Sequence, residues 1–583
     1  SPGSIAQNLD ETWEGKPWVS YAKGGDYSPY YADVHLVVNW KNNAEEIKQY
    51  VSERYPYLRG NTDWVLHPEN DYFRPGLTYT SYTVLGFNPR FLPAGCIFSQ
   101  AGNFIYSYDK KLLWPLLGIF NSRLIQQFLL METDSRKWEV GYVQNIPWII
   151  PSSSAISNLA KKNYDLKREL DRVNETSHAF ACSTLLELRS QGFQQAQNQN
   201  IITNRLDQRF LSWLTTKDLA EVSVTENSYQ IDQAVLDMYE VSEHDRRTID
   251  RELRPHPGSY PHKDEWRQDE DEKLRLLYLT KEVLPEESNE EDIQDDDDYA
   301  DHNQRRSRRA TYRTLEEIAH ELKVHPASIA ARRQALGLYR PEEFTAAVAD
   351  LVSYCVGCLF SRWDIRIGAG ELEPPPLPDP EEGLPLYPPG ALRPDSPPLE
   401  AKGALAKVIE HSAGRGMLVD DPGHQHDLVA GVEACLSYLF GEDKLPAIRG
   451  EIKEALGRDL RSWLARSFFP FHIKRYSKSR RKAPIYWQLS TLGKGYSLWL
   501  YYHAIGADTL YTAVREYVSP KTQFEEQRLA ELKRTFERLK TSGTAREARS
   551  AEKAVEDQEA SCRNCTPSAA SYSGWRIGAT TRI

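Results

Sequence analysis

Hydrophobic and polar positions change rhythm several times along the chain. Up to about Pro151, apolar residues come in short runs, Val34 to Val38, Leu77 to Leu85 and Cys96 to Tyr108, separated by turn residues. Such runs read as strands. Leu113, Leu116, Leu117, Phe120 and Leu124 then recur at helical spacing and predict a helix over Leu112 to Leu130, with Pro115 tolerated in its first turn. Leu159, Leu166, Leu170 and Val173 stand among charged residues and predict an amphipathic helix over Ile156 to Val173. Helical character continues from Ser183 to Leu214 around a Gln/Asn-rich interruption, and a short helix is expected over Ile231 to Val241.

Two further helices, Thr314 to Leu322 and Pro326 to Leu338, are joined by Lys323, Val324 and His325. Thr314 and Glu317 have capping-box spacing, Pro326 suits a first turn, and Gly337 suits a helix end. Small Ala319 and Ala330 allow close approach, so the pair has helix-turn-helix form and would turn Ser328, Arg332 and Arg333 toward DNA. A helical hairpin that binds nothing has the same pattern. Later come an apolar helix, Phe344 to Phe360, a strand-like run, Tyr496 to Tyr502, and a short coiled-coil helix, Phe524 to Leu539.

Length and composition sharpen this picture. A chain of 583 residues exceeds one hydrophobic core. The expected segments are a β-rich domain over 1–151, a helical region over 152–245, a charged and partly disordered linker over 246–310, and a helix-turn-helix-like region over 311–368. A Pro-rich linker over 369–400, a basic domain over 401–520, a coiled-coil-like helix over 521–540 and a tail over 541–583 follow. The formal charge of −11 leaves nucleic-acid contact to local patches. No run reaches membrane-span length, there is no signal-peptide pattern, and seven cysteines fit a reducing interior, which together imply a cytoplasmic protein. The opening Ser1, just ahead of a motif, suggests a fragment of a longer protein.

Candidate chemistry concentrates in two places. Around Lys23-Gly24-Gly25-Asp26-Tyr27 a glycine turn sits among aromatic rings, and Tyr27, Tyr30 and Lys23 are placed to stack on bases or meet phosphate. An ordinary hairpin with its aromatics in the core is the alternative. Lys474, Arg475, Lys478, Arg480, Arg481 and Lys482 crowd into nine positions flanked by aromatics, a patch able to neutralise several phosphates. Cys355 and Cys358 form a CxxC read as buried structural thiols, and Asp420 to Asp427 read as turn chemistry rather than a metal site.

The order of these motifs resembles large adenine-specific DNA methyltransferases, the single-chain type of type II restriction-modification systems and of BREX phage defence. The residues that carry the resemblance include Lys23 to Pro29, Val37 to Trp40, Tyr72 to Thr78, Leu92 to Phe98 and Leu117 to Arg123. Gly141 to Pro147, Ile231 to Tyr239, Lys474 to Leu489 and Trp499 to His503 continue the series. The resemblance implies a target-recognition domain at the head of the chain, with Arg74 joining Lys23, Tyr27 and Tyr30 on double-stranded DNA. It also implies S-adenosylmethionine as the methyl donor of the parent enzyme, and restriction-modification or BREX components as partners.

The (Asp/Asn/Ser)-Pro-Pro-aromatic motif of amino-methylation is missing: Ser396-Pro397-Pro398-Leu399 and Tyr387-Pro388-Pro389-Gly390 both lack the ring. Ile367-Gly368-Ala369-Gly370 runs into proline rather than a helix, so no cofactor loop is expected either. The expectation is therefore an α+β multidomain chain with a β-rich target-recognition domain followed by mostly helical domains. A catalytic Rossmann-like domain and bound cofactor are expected to be absent. A portion of a fused nuclease–methylase and a protein-interaction scaffold are the alternatives.

Overall fold

The computed structural model describes residues 2–577 except 67–70, 100, 134–136, 152–153, 188–204, 284–309, 479–480, 483, 491–495 and 566–575. It is a mixed helix and sheet structure divided into two compact units. The first comprises Ser1–Ala181, Phe210–Glu343 and Pro374–Pro389; the second comprises Cys182–Arg209, Phe344–Glu373 and Gly390–Ile583.

The first unit opens with β1 (Ile5–Ala6), α1 (Leu9–Trp13), β2 (Trp18–Ala22), β3 (Val37–Asn39) and α2 (Lys41–Arg54). After these come β4 (Gly76–Thr80), β5 (Arg90–Leu92), β6 (Cys96–Phe98) and β7 (Gly102–Ile105). Strand β2 pairs antiparallel with β3, and parallel with β1 and then β6 along successive parts of its length. A second sheet has the antiparallel order β5-β4-β7. Strand β4 is buried along its whole length, with Leu77 and Tyr79 at its centre.

Helices α3 (Leu113–Phe120), α4 (Arg123–Glu132), α5 (Val140–Gln144) and α6 (Ala155–Leu170) follow. The helix expected over Leu112 to Leu130 is thus two. The break falls at Asn121 and Ser122, because the Ser122 hydroxyl accepts from the Ile125 amide and starts a new helix. Rings from both halves, Phe91, Trp114 and Tyr164 among them, close one core.

The remainder of this unit holds α7 (Leu206–Met238, apart from its first turn), α8 (Glu243–Leu253) and α9 (Gln268–Leu279). Strands β8 (Lys281–Val283) and β9 (Ala310–Tyr312) pair antiparallel, and α10 (Leu315–Leu322) and α11 (Pro326–Ala335) complete it. Residues 246–283 are therefore ordered structure rather than linker, while the acidic run Glu286 to Asp298 and the basic run Arg305 to Arg309 lie outside the described residues. Val222, Leu274, Leu315, Ile318 and Ile329 build the core around α10 and α11.

Part of the expected Pro-rich connector, Pro374–Pro389, is packed in this unit. Lys161 pairs with Asp379 at 2.9 Å, the Trp114 indole donates to Glu381 at 2.9 Å, and the Ala94 amide donates to the Pro380 carbonyl at 3.0 Å.

In the second unit lie most of α12 (Pro341–Leu359), α13 (Ile365–Ala369), α14 (Gly403–His411), β10 (Met417–Asp420), α15 (Leu428–Phe440) and α16 (Leu445–Leu456). The unit continues through α17 (Leu460–Trp463), α18 (Phe469–Arg475), the short pair β11 (Ser477–Lys478) and β12 (Arg481–Lys482), β13 (Tyr486–Ser490) and β14 (Ser497–Tyr501). Helices α19 (Thr509–Thr512), α20 (Ser519–Ser542) and α21 (Ala545–Cys565) and strand β15 (Arg576–Ile577) end it. The sheet order is β10-β14-β13-β15. Cys355 and Cys358 are buried on α12, and Asp420 and Asp427 both accept from Arg461. Helices α20 and α21 pair, with Gln558 donating to the Glu525 carbonyl at 3.2 Å and Lys533 meeting Glu559 at 2.6 Å. Among the described residues no helix is long and apolar enough to cross a membrane.

Candidate nucleic-acid interface

The glycine turn after β2 is held from beneath. Gly24 and Gly25 both have positive φ, +55° and +137°, and a Cβ on Gly24 would lie 2.8 Å from the Ala101 carbonyl oxygen. Only glycine satisfies both the backbone angle and this close approach. Arg90, buried on β5, donates to the Asp26 carbonyl at 3.0 Å and to the Thr80 hydroxyl at 2.7 Å. Thr80 in turn donates to the Gly25 carbonyl at 3.0 Å. Burial pulls the Arg90 guanidinium down to about 10, yet it stays charged at neutral pH. The turn is therefore pre-shaped, and Lys23 and Tyr27 stand exposed on it.

Tyr27 faces groups contributed by helices. Tyr27 is 40% exposed, and Glu316 at the start of α10 is exposed as well. Nevertheless burial is the first cause of the rise in both groups' pKa, to about 12 for Tyr27, where the charge of Glu316 adds to it. Lys167 on α6 is influenced by the same carboxylate: burial drops it to about 8 against the opposing pull of Glu316 and Glu221, and its ammonium donates to the Pro29 carbonyl at 2.8 Å. Thr225 on α7 donates to Glu316 at 2.8 Å. Behind these groups the interior is polar and interlocked, with buried Asn227 donating to buried Asn163 at 2.9 Å and Asn163 to Ser228 at 3.2 Å.

Other expected contact residues take different places. Tyr30 is buried, its hydroxyl 3.2 Å from Ser228, so it is a core ring rather than a stacking surface. Arg333 has no exposure: it donates to Asp218 at 2.5 Å and to the Leu338 carbonyl at 2.7 Å, an internal clamp that no phosphate can reach. Arg332 forks onto Asp271, with Nε 2.7 Å from one carboxylate oxygen. Ser328 is buried and accepts from the Lys263 amide at 2.8 Å. The helix pair has the expected caps, yet its second helix turns these side chains into its own unit.

Arg74 lies over the Tyr106 ring at 5.0 Å. In the second unit Lys474 is exposed, whereas Arg475 is engaged by Asp350. The backbones of Lys478 and Arg481 pair across β11 and β12; Arg480 and the side chains of Lys478, Arg481 and Lys482 lie outside the described residues. Arg90, Lys167, Glu316 and Thr225 escaped the sequence reading. Only Arg90 carried a signal, as a lone cation beside Phe91 and Leu92 in an apolar strand, a pattern that asks for a buried partner.

No protein-family model matches the chain. It is 21% identical over 535 residues to the adenine-specific methyltransferase PglX of Lacticaseibacillus casei (strain Zhang), covering 89% of this chain and 34% of that protein. It is 24% identical over 172 residues to the adenine-specific methyltransferase BrxX of Escherichia coli O9:H4 (strain HS), covering 29% of this chain and 13% of that protein. The chain thus matches about a third or less of the length of each of these relatives. Over most of its own length it is distantly similar to adenine-specific methyltransferases of the PglX and BrxX kind.

Proposed function

We propose that this chain is the DNA-recognition and DNA-binding portion of an adenine-specific DNA methyltransferase acting in BREX or restriction-modification phage defence. The observation that carries the reading is the similarity to PglX across 89% of the chain. Lys23 and Tyr27 on the turn, Arg74 beside it in sequence order, and Lys474, Lys478, Arg480, Arg481 and Lys482 in the second unit are the proposed contacts to double-stranded DNA. The lysines and arginines meet phosphate, and the ring of Tyr27 meets bases.

The parent reaction moves a methyl group from S-adenosylmethionine to adenine N6. In this reading the chain chooses the site and other residues of the parent protein hold the cofactor. Fluorescence anisotropy with duplex DNA tests it. Tight binding is expected, with Arg480, Arg481 and Lys482 changed together to Ala losing at least tenfold in affinity and flattening the salt dependence. Methyl transfer from labelled S-adenosylmethionine by this chain alone would contradict the division of labour.

One observation favours protein contact as a second reading. Leu510, Tyr511, Val514 and Phe524 are all at least half exposed along the helical run that begins at α19, a stripe suited to a partner. Unchanged DNA affinity in the triple variant would shift the assignment toward that scaffold role.

A further inference from the structure

An aromatic stack runs from the interior of the first unit out to solvent. Phe98, buried at the end of β6, stacks on Phe104 of β7 with centroids 4.5 Å apart and planes 20° apart. Phe104 stacks on Tyr106 at 6.1 Å and 18°. The Tyr106 ring meets Tyr108 edge-on at 5.4 Å, and their hydroxyls lie 3.3 Å apart. Exposure climbs along the series, from 5% at Phe98 to 38% at Tyr106 and 87% at Tyr108. The Arg74 guanidinium lies over both outer rings, 5.0 Å from the Tyr106 centroid and 5.9 Å from that of Tyr108.

This series is built rather than incidental. A Cβ at Gly76 on β4 would lie 2.4 Å from the Phe104 ring, so the missing side chain is what lets Phe104 lie flat. Strand β7 ends at Ile105, and the chain beyond it brings Tyr106 onto Phe104 and turns Tyr108 edge-on against Tyr106. Phe104 and Tyr106 are locked between neighbours, while Tyr108 offers an outer surface to solvent. A protein core gains nothing from carrying a ring stack into water and placing a cation beside its last members. A planar ligand with negative charge nearby would gain from both.

We infer that Tyr108, Tyr106 and Arg74 form a stacking site for one unpaired nucleobase, Tyr108 taking the base and Arg74 its adjoining phosphate. Every base has a π face, so the site is indifferent to base identity and selective for a base that has left the helix. Extrusion of a target adenine unstacks that base and leaves its opposite base unpaired, and such a site would hold a strand in that state. The inference rests on the DNA-binding reading above, which it deepens.

The test uses the full chain and three fluorescent oligonucleotides: a matched duplex, the same duplex with 2-aminopurine opposite an abasic site, and a single strand. Wild type is expected to bind the abasic duplex more tightly than the matched one, with a change in 2-aminopurine emission. Tyr108→Ala is expected to lose about tenfold or more on the abasic duplex and the single strand. It should lose less than threefold on the matched duplex, and Tyr108→Phe should restore the emission change. Tyr108→Ala that is silent on the abasic duplex, or equally weak on all three probes, overturns the site while leaving duplex recognition standing. Single-strand binding sensitive to Tyr108, without any matched-duplex binding, keeps the site and overturns the function proposed above. Circular dichroism of each variant confirms that the fold is intact, since Tyr108 is solvent-facing.

Discussion

The glycine turn and the helix pair α10–α11 both read as nucleic-acid elements, and they treat their charges in opposite ways. The turn keeps its cation inside: Arg90 is buried beneath Gly25 and Asp26 and shapes the loop, while Lys23 and Tyr27 stand outward. The helix pair ties up its would-be contact arginines, Arg333 in the interior on Asp218 and half-buried Arg332 on Asp271. A cation in a sequence has no assigned partner until its counter-charge is located. Asp218 lies 115 residues from Arg333, so nothing local could have revealed the clamp.

Variants can break or sharpen this contrast. The largest effect is expected from Arg333→Ala, which leaves Asp218 buried and uncompensated. Asp218 is already pushed up to about 6 by burial, and losing its partner should cost about 3–5 kcal/mol, read by chemical denaturation. Normal stability with weakened DNA binding would instead return Arg333 to the contact set. Next comes Gly24→Ala, where a left-handed angle and the Ala101 carbonyl together should cost about 1–3 kcal/mol and lower DNA affinity.

Acid should separate the two elements as well. His256 is held down to about 3 by burial, and His320 and His325 are lowered for the same first reason. The Nδ1 atoms of His256 and His325 accept backbone amides, of Gly258 at 3.0 Å and Ala327 at 3.2 Å, so both rings must stay neutral. Depressed folded pKa values mean that this stability is complete above about pH 6.5 and is lost as pH falls, because the unfolded chain takes up the protons first. Asp232, raised by burial to about 7 and 4.0 Å from His256, works the other way between about pH 7 and 4. Asp232→Asn should therefore steepen the acid loss, seen in thermal midpoints across that range. The smallest expected effect is that of Lys23→Ala. Stability should stay within about 0.5 kcal/mol, while the salt dependence of duplex binding falls by about one phosphate contact.

Local signals in the sequence carried through where the physics is local. Thr314 and Glu317 form the capping box, His325 and Pro326 open α11, and Gly337 takes its positive φ of +60°. The strand run at Tyr496 to Tyr502 appears as β14, and Cys355 and Cys358 are buried. Longer-range facts did not carry through. Helix α7 looked like separate pieces because Asp218, Thr225, Asn227 and Asp232 interrupt its apolar stripe, yet all four are buried against partners elsewhere in the fold. Tyr30 looked like its exposed neighbour Tyr27; the difference is a backbone with φ of 70°, which sends the ring inward to Ser228. The interacting groups Lys167, Glu316 and Thr225 come from separate helices, and no spacing rule links them.

The strap Pro374–Pro389 has a consequence for how the protein is made. The first unit is assembled from three separated pieces of chain, and its last piece emerges only after Phe344–Glu373, which belong to the second. At ordinary translation speed, roughly 10–40 s separate the synthesis of Ala181 from that of Pro389. Until then the surface that receives Asp379, Pro380 and Glu381 is bare, and the nascent first unit waits on the ribosome with one seam open. Neither unit can be cut out as a continuous gene segment.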